Sequence, residues 1–337
     1  MSLKSNLKNA IGIVCESPCF RPYLKRAANG LVNVIYYHHV GIPDPHYQAF
    51  YSGCTLSRFQ DDLERLGRVY DFVSLDEVVD ATIDPLGRKR PTLALTFDDG
   101  FDLRKSGVMK VLAGRGIKAT TFLITSCIGN EKLMWRHALS AIQTLVPAER
   151  WRTEYVRLVQ DVGFPPLNDR ASLISASNHW AMRQKDDWVA WLWKRCGLPA
   201  IEDYLQDKTP YFDLEGLQAW LSAGHSIGFH THTHPYCSKL TPADLASEII
   251  EPAAKLRQVF GLSHPPYLSY PFGDRLQPGL EQELFRQGSF KAFFGIGGFK
   301  HRGASNASLE RAGTEGNRVG WTVFASTVLG KGPLGSN

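Results

Sequence analysis

The stretch LALTFDDG, residues 93–100, ends an apolar run with two adjacent carboxylates and a glycine. The apolar residues predict a buried strand, and the active sites of α/β sheets and barrels lie at the carboxyl ends of their strands. Adjacent side chains of a strand point to opposite faces, so Asp98 and Asp99 seldom share a task unless the chain turns, which Gly100 permits. One carboxylate can then bind a metal while the other acts as a base. Such a pair also occurs in magnesium-dependent phosphoryl-transfer sites, or simply caps the next helix.

Strands and helices alternate on both sides of this stretch. The predicted strands cover residues 31–37, 91–97, 116–125, 225–229, 267–270 and 290–294, and we expect the last of these to be the final strand. The predicted helices between them cover residues 55–66, 103–114, 213–223, 241–260 and 277–288. Such alternation predicts an α/β fold, either a parallel barrel or a doubly wound sheet.

Residues 131–212 interrupt the alternation and hold six of the eight tryptophans. They carry few strand signals, so we predict a helical insertion inside the main domain. Trp188 and Trp191 are three residues apart and share one helical face. Tryptophans can stack on sugar rings, but at helical spacing we expect them to belong to a core.

The composition excludes several classes of protein. Of the 337 residues, 43% are hydrophobic and 21% are charged, which is typical of a globular chain. Residues 1–30 carry +4 of the net charge of +5, so the nearly neutral remainder argues against nucleic-acid binding. No apolar run approaches the length of a transmembrane helix, and six cysteines without a CxxC or a recognisable secretory signal predict reduced thiols and a cytoplasmic location. Residues 3–14 favour an amphipathic helix packed on the domain, with a weak contact to an anionic membrane surface as the alternative.

A second polar cluster, HTHTHP at residues 230–235, follows the strand predicted at 225–229. It holds three of the eleven histidines, which is more than a merely polar strand face needs. A straight strand would place His230 and His234 about 13 Å apart and would favour His230 with His232 as a ligand pair. A helical turn would bring His230 and His234 within about 6 Å of each other. The spacing alone leaves both pairs open.

A third element, YPFGD at residues 270–274, follows a further predicted strand. Its Pro-x-Gly frame marks a turn, and an abrupt turn here leaves a backbone N–H that suits an oxyanion. A carboxylate and two imidazoles form a three-ligand site with open positions, which is the kind that activates water on a divalent metal. Together the three elements predict hydrolysis of an amide or an ester.

These motifs resemble those of the polysaccharide deacetylase family, also called the NodB-homology group or carbohydrate esterase family 4. TFDDG stands at residues 96–100, and the family pattern His-(Ser/Thr)-x-x-His, followed by proline, fits residues 230–235. The segments YHHV at 37–40 and AGHSIG at 223–228 are similar to the same family. The resemblance implies a distorted (β/α)7 barrel over about residues 31–312. Around it we expect the mostly helical insertion at about 131–212, an amphipathic and basic extension at 1–30, and a tail at 313–337.

The resemblance also implies roles for individual residues. Asp98 matches the family's catalytic base, and Phe272 matches the aromatic residue whose backbone N–H helps to bind the oxyanion. Thr231 would hold its loop by hydrogen bonding, and His232 would lie in a second layer or at the surface. The family's usual metal is zinc, with cobalt or nickel as substitutes. Its ligands correspond to Asp99, His230 and His234.

Two positions depart from the family pattern. Ser269 stands where the family usually has an arginine that pairs with the catalytic aspartate. Arg311 resembles a C-terminal arginine of related members, and we expect it within about 4–6 Å of Asp98, where it would lower the pKa of that carboxyl. The family's late histidine, which acts as general acid, has no counterpart after His301. His38 and His301 are the candidates for this role, although each can equally be a structural or surface residue.

From these observations we expect a metal-dependent hydrolase that removes an N-acetyl or N-formyl group from a saccharide. The expected setting is intracellular biosynthesis of a polysaccharide, a glycolipid or an amino sugar. Two alternatives stay open: a catalytically impaired protein that only binds glycans, and a hydrolase of the same fold that acts on a non-sugar amide or an ester.

Overall fold

The structure is a computed structural model. It describes residues 14, 17–41, 44–47, 49, 53–83, 89–163, 172–301, 307–314 and 323–324. The helix predicted at 3–14, Val14 apart, and most of the tail predicted at 313–337 lie outside these residues. Within the described ranges, no helix has both the length and the apolar character needed to cross a bilayer.

A parallel sheet of nine strands curls into a nearly closed barrel, which confirms the predicted fold class. The strands are β1 (Leu31–Val32), β2 (Val34–Tyr37), β3 (Val40–Gly41), β4 (Cys54–Thr55), β5 (Asp71–Val73), β6 (Thr92–Phe97), β7 (Ala119–Leu123), β8 (Ser226–Phe229), β9 (Leu268–Ser269), β10 (Phe293–Gly295), β11 (Lys300–His301), β12 (Ser308–Glu310) and β13 (Ala312–Gly313). The order in the sheet is β12-β10-β9-β8-β7-β6-β2-β13, and β5 also pairs with β6. β1 pairs with β11 and β3 pairs with β4 outside this sheet.

Helices connect the strands, as the alternation predicts. The segment predicted as one helix at 241–260 is α11 and α12 joined by a π-helical turn at Ala246–Ile250. The helices are α1 (Arg21–Asn29), α2 (Leu56–Gly67), α3 (Leu75–Ile83), α4 (Val108–Arg115), α5 (Trp135–Leu145), α6 (Ala148–Val162), α7 (Leu173–Ala176), α8 (Lys185–Arg195), α9 (Ile201–Lys208), α10 (Leu214–Ser222), α11 (Pro242–Leu245), α12 (Glu251–Phe260) and α13 (Pro278–Arg286).

The expectation that 290–294 is the final strand is wrong. β12 pairs with β10 while β13 pairs with β2, and only Arg311 separates β12 from β13. One extended segment therefore joins the two edges of the sheet. With β12 and β13 counted as one position, the strand order has seven positions, in agreement with a (β/α)7 barrel. Strands of three and two residues are too short to show a period in the sequence.

The two central strands, β6 and β7, are buried along their whole length. Their near-continuous apolar character is typical of parallel strands that are covered on both faces. Because all strands of this sheet run in parallel, their carboxyl ends meet at one edge of the barrel. The segments after β2, β6, β8 and β9, which carry the predicted site residues, therefore lie on the same side.

Helices α5 to α9 lie between β7 and β8 and have a hydrophobic core of their own. Trp135 and Trp180 are at most 1% exposed, and Trp188 is also buried. Trp191 packs against the same core. These contacts confirm the prediction that the tryptophans of this region are core residues. We refer to residues 131–212 as the helical insertion; its limits as a domain stay a prediction.

Candidate active site

The turn after β6 brings two carboxylates into one buried site. Asp99 has φ +68° and Gly100 has φ +71°, so the chain reverses directly after the strand. Asp98 is 2% exposed and Asp99 is completely buried. An L-residue in the left-handed region costs about 1–3 kcal/mol, and such strain persists where the surroundings impose it. Within the described residues, six non-glycine residues have positive φ, and four of them belong to this site: Asp99, Thr231, His234 and Phe272.

The segment after β8 curls instead of continuing as a strand. Thr231 and His234 have φ of +66° and +59°, and the Thr231 Oγ1 accepts a hydrogen bond from the His234 N–H at 3.0 Å. This turn brings the Nε2 atoms of His230 and His234 to 3.2 Å from each other. His232 points elsewhere, with its Nδ1 2.9 Å from the Thr125 Oγ1. Of the two ligand pairs that the spacing leaves open, the structure therefore brings together His230 and His234.

Asp99, His230 and His234 form a set of donor atoms that could hold one metal ion. The Asp99 Oδ1 lies 3.3 Å from each histidine Nε2. Ligand atoms about 2.1 Å from a tetrahedral zinc ion are about 3.4 Å apart, so these three atoms fit the corners of one face of such a site. The His230 Nδ1 lies 2.7 Å from the Ser269 carbonyl oxygen. Donation of that ring proton to the carbonyl would leave the Nε2 lone pair available to bind an ion.

Electrostatics keep Asp99 ionised in spite of its burial. Burial opposes ionisation, but hydrogen bonds from His137, His230 and His234 outweigh it and hold the pKa of the carboxyl well below its ordinary value. Burial also lowers the pKa of His234 to about 3, so this ring is neutral at physiological pH. A charged carboxylate and a neutral imidazole are the protonation states that a metal needs.

Asp98 forms a two-pronged ion pair with Arg311. The Nη1–Oδ1 and Nη2–Oδ2 distances are both 2.7 Å, and Arg311 is completely buried. The guanidinium also lies 3.0 Å from the Thr96 Oγ1 and 2.5 Å from the Ser269 Oγ. Burial raises the pKa of Asp98, but the charge and hydrogen bonds of Arg311, together with the charges of His230 and His38, outweigh this and leave the pKa below its ordinary value. Arg311 thus lies next to Asp98, as expected, and the small side chain of Ser269 contacts the guanidinium of Arg311.

Phe272 and His38 complete the set of predicted residues. Phe272 has φ +59° in the turn after β9, and its ring centroid lies 4.6 Å from that of His234. His38 is half-buried directly after β2, and its charge also lowers the pKa of Asp98. Both residues therefore lie near the carboxylates and the metal-ligand set. The backbone of His301 lies in β11, and its side chain is outside the described residues.

The sequence did not indicate a role for His137, in the first turn of α5. It is completely buried, and its Nε2 lies 3.3 Å from the Asp99 Oδ2. A single histidine in an apolar helix has no spacing relative to TFDDG or HTHTH that would connect it with the site. Only the packing of the helical insertion on the barrel edge brings His137 to Asp99.

A family model and several solved structures match this chain. The model for polysaccharide deacetylase matches residues 87–163 and 196–282, which include both carboxylates, the curled histidine segment and Phe272. A deacetylase from Streptococcus pyogenes, PplD in complex with acetate, is 17% identical, with a TM-score of 0.54 over 90% of this chain and 99% of that chain. No curated protein sequence matches the chain.

Two further structures show the same fold. A polysaccharide deacetylase from Bacillus cereus is 15% identical, with a TM-score of 0.52 over 88% of this chain and 69% of that chain. IcaB from Ammonifex degensii is 19% identical, with a TM-score of 0.50 over 83% and 89%. Since the family model matches the segments that carry both carboxylates, the curled histidine segment and Phe272, the chain belongs to the polysaccharide deacetylase family.

Proposed function

We propose that this protein is a metal-dependent hydrolase that removes an N-acetyl or N-formyl group from a saccharide. The observation that carries this proposal is that two adjacent carboxylates, Asp98 and Asp99, have different partners. Asp98 is bound to a buried guanidinium, and Asp99 faces the Nε2 atoms of His230 and His234 at 3.3 Å. One carboxylate is thus arranged as a charged base and the other as a metal ligand.

Asp99, His230 and His234 would hold the divalent ion, which we expect to be zinc, with cobalt or nickel as substitutes. When bound, this ion supplies a Lewis acid for the acyl carbonyl and for the attacking water. These three side chains are at most 2% exposed. Their burial excludes bulk water from the donor set, which strengthens the electrostatic interactions within it.

Asp98 accepts the proton of the attacking water. Because Arg311 keeps its pKa low, this carboxylate is ionised at neutral pH. Arg311 also fixes the orientation of both oxygens through its two hydrogen bonds. The low pKa makes Asp98 a weaker base than a free carboxylate, so its contribution depends on correct placement next to the water.

Phe272 and His38 would act in two further parts of the reaction, which are the stabilisation of the oxyanion and the protonation of the leaving amine. The Phe272 N–H would donate to the oxyanion of the tetrahedral intermediate, because the turn after β9 places this residue beside the metal ligands. His38 would give a proton to the leaving amine. Its place directly after β2, on the same edge of the barrel as Asp98, supports this role.

Family membership supports a saccharide as the substrate, and the acetate bound to the Streptococcus pyogenes deacetylase supports an acetyl group. A cavity of about 470 Å³ is lined by His39 and Phe101, which directly follow His38 and the turn at residues 98–100 in the chain, and by residues 208–210 of the helical insertion. It would offer room for a sugar unit. The cytoplasmic, biosynthetic setting expected from the sequence stays a prediction.

The test is acyl release by protein that has been stripped of metal and reloaded with zinc, cobalt or nickel. N-acetylated sugars, nucleotide sugars and lipid-linked glycans are offered while acetate and formate are measured. We expect release from at least one saccharide, only with metal, and release about 10²–10⁴-fold slower from Asp98→Asn. Hydrolysis of only non-sugar amides or esters would instead support the same-fold alternative. Glycan binding without any release would support the binding-only alternative.

A further inference from the structure

The first turn of α5 connects the helical insertion with the active site. The Trp135 Nε1 donates a hydrogen bond to the carbonyl oxygen of His234 at 2.8 Å. The guanidinium carbon of Arg136 lies 4.3 Å from the centre of the Phe272 ring. Two successive insertion residues therefore contact two different segments of the barrel edge.

The third residue of this turn, His137, contacts the metal-binding carboxylate itself. Its Nε2 faces the Asp99 Oδ2, whereas the Oδ1 faces the other two histidines. Among the described residues, one group of three or more histidine, cysteine, aspartate or glutamate residues brings one donor atom from each member within 4.8 Å of all the others, and its members are Asp99, His230 and His234. His137 is therefore a neighbour of the carboxylate and not a fourth member of the donor set.

The partner of the other ring nitrogen of His137 determines which of the two nitrogens carries the ring proton. The Nδ1 lies 2.6 Å from the hydroxyl of Tyr211, whose oxygen also accepts the Met134 N–H at 3.2 Å. Burial raises the pKa of Tyr211 well above its ordinary value, so this hydroxyl keeps its proton. A hydroxyl that donates to Nδ1 leaves the ring proton on Nε2, where it points at Asp99.

We infer that His137 is a positioning residue for the metal centre: it donates its Nε2–H to the Asp99 Oδ2, held in this tautomer by Tyr211, and so directs the Oδ1 at the ion. This inference rests on the proposed metal site. A carboxylate bound through one oxygen can rotate about its terminal bond, and a hydrogen bond to the second oxygen prevents that rotation. Removal of such supporting contacts typically costs about 10–100-fold in metal affinity or activity.

The test measures the affinity of the metal-free protein for Co²⁺, by visible absorption in competition with a chelator, without any substrate. We expect His137→Leu to raise the dissociation constant about 10–100-fold. His137→Gln should recover most of the affinity, because its terminal amide can donate from nearly the same place. Tyr211→Phe keeps the ring and removes only the hydroxyl, and we expect a smaller rise of about 2–10-fold.

Tyr47→Phe is the matched control. The Tyr47 ring also packs on His137, with a centroid distance of 5.1 Å, but its hydroxyl faces the Tyr204 hydroxyl at 3.4 Å. This variant should keep the Co²⁺ dissociation constant within about twofold of the wild-type value, because it leaves the bonds of His137 intact. If His137→Leu does not fold, as judged by circular dichroism, the comparison of Tyr211→Phe with Tyr47→Phe decides.

The outcomes separate the inference from the proposed function. If His137→Leu and Tyr211→Phe bind Co²⁺ as tightly as the wild type, the inference is wrong while the metal centre stands. If His137→Gln is as weak as His137→Leu, donation by His137 is also ruled out. If the wild type binds no Co²⁺, the metal centre fails and the inference fails with it.

Discussion

The barrel edge and the helical insertion both contact Asp99, but they contribute different kinds of residue. The barrel edge supplies the donor set itself, on the segments that follow β6 and β8. The insertion supplies His137, which contacts the oxygen on the other side of the carboxylate. A donor set needs particular residue types at a particular local turn, so it is visible in the sequence. A supporting hydrogen bond can come from any element that packs nearby, so it is not.

The two regions also have separate hydrophobic cores, and loop residues of the barrel edge join them. Phe272 follows β9, yet it packs against the core of the insertion. Tyr236, which follows the curled histidine segment, does the same. The difference between the regions therefore lies in their chemistry and not in their distance from the site. The helical insertion therefore contacts the site directly.

The largest effect should come from the base on the barrel edge. We expect Asp98→Asn to lower turnover by about 10²–10⁴-fold, because an amide cannot accept the proton of water. Binding of Co²⁺ should be unchanged, since Asp98 is not one of the donors. Steady-state kinetics and metal titration measure the two effects separately. Near-normal turnover by Asp98→Asn on a verified substrate would exclude it as the base.

The next test removes the ion pair between Asp98 and Arg311, the residue that separates β12 from β13. Arg311→Met leaves Asp98 buried without its partner, and we expect a loss of about 3–5 kcal/mol in the free energy of unfolding. The folded-state pKa of Asp98 lies below its ordinary value of 3.8, so the pair stabilises the fold above that pH, and this contribution is lost as the pH falls further.

Without Arg311, burial raises the pKa of Asp98 unopposed. The acidic limb of the pH–rate profile should therefore move to higher pH in Arg311→Met, because the base is protonated over a wider range. Ser269→Ala is the control, since it removes a hydroxyl that Arg311 touches and leaves the ion pair in place. An unshifted acidic limb in Arg311→Met would show that Arg311 does not control the charge of Asp98.

A paired substitution sharpens the ligand assignment within the barrel edge. His234→Gln should weaken Co²⁺ binding by more than about 100-fold, which exceeds the usual cost of losing a supporting contact. His232→Gln should leave the dissociation constant within about threefold, because its ring bonds to Thr125 and is not in the donor set. Equal losses in the two variants would contradict the curled arrangement as the metal-binding form.

The smallest effect concerns the backbone contact from the insertion. Trp135→Phe removes the hydrogen bond to the His234 carbonyl and should cost about 1 kcal/mol in stability, with a rise of a few-fold in the Co²⁺ dissociation constant. Trp193→Phe is matched, because the Trp193 Nε1 donates to the Pro199 carbonyl at 2.6 Å within the insertion. It should lower the melting temperature without changing metal binding. If both variants bind Co²⁺ with the same affinity, the hydrogen bond from Trp135 does not support the metal site.

Much of the fold and the core of the site could be predicted from local sequence. The strand that ends at TFDDG is a continuous apolar run, and the carboxylates at its end lie at the shared strand edge. The helix expected to begin at residue 241 begins at Pro242 in α11, and Thr241 forms a capping box with Asp244 there. The expected helix at 103–114 begins only at Val108, because Gly107 with φ +80° precedes it and the residues before it form turns. These features depend on residues that are close together in the chain.

The sequence by itself determined the alternating α/β architecture, the helical character of residues 131–212 and the residue types of the site, since periodicity and turn residues are local properties, and the family resemblance narrowed the architecture to a barrel. Only the tertiary structure decided which contacts complete that site. Arg311, which only the family resemblance connected with Asp98, reaches it across 213 positions of sequence, and His137 reaches Asp99 because a separate core packs on the barrel edge. The short strands β12 and β13 form because two open sheet edges offer them partners. Contacts of this kind depend on the meeting of distant surfaces, and no spacing within the sequence encodes them.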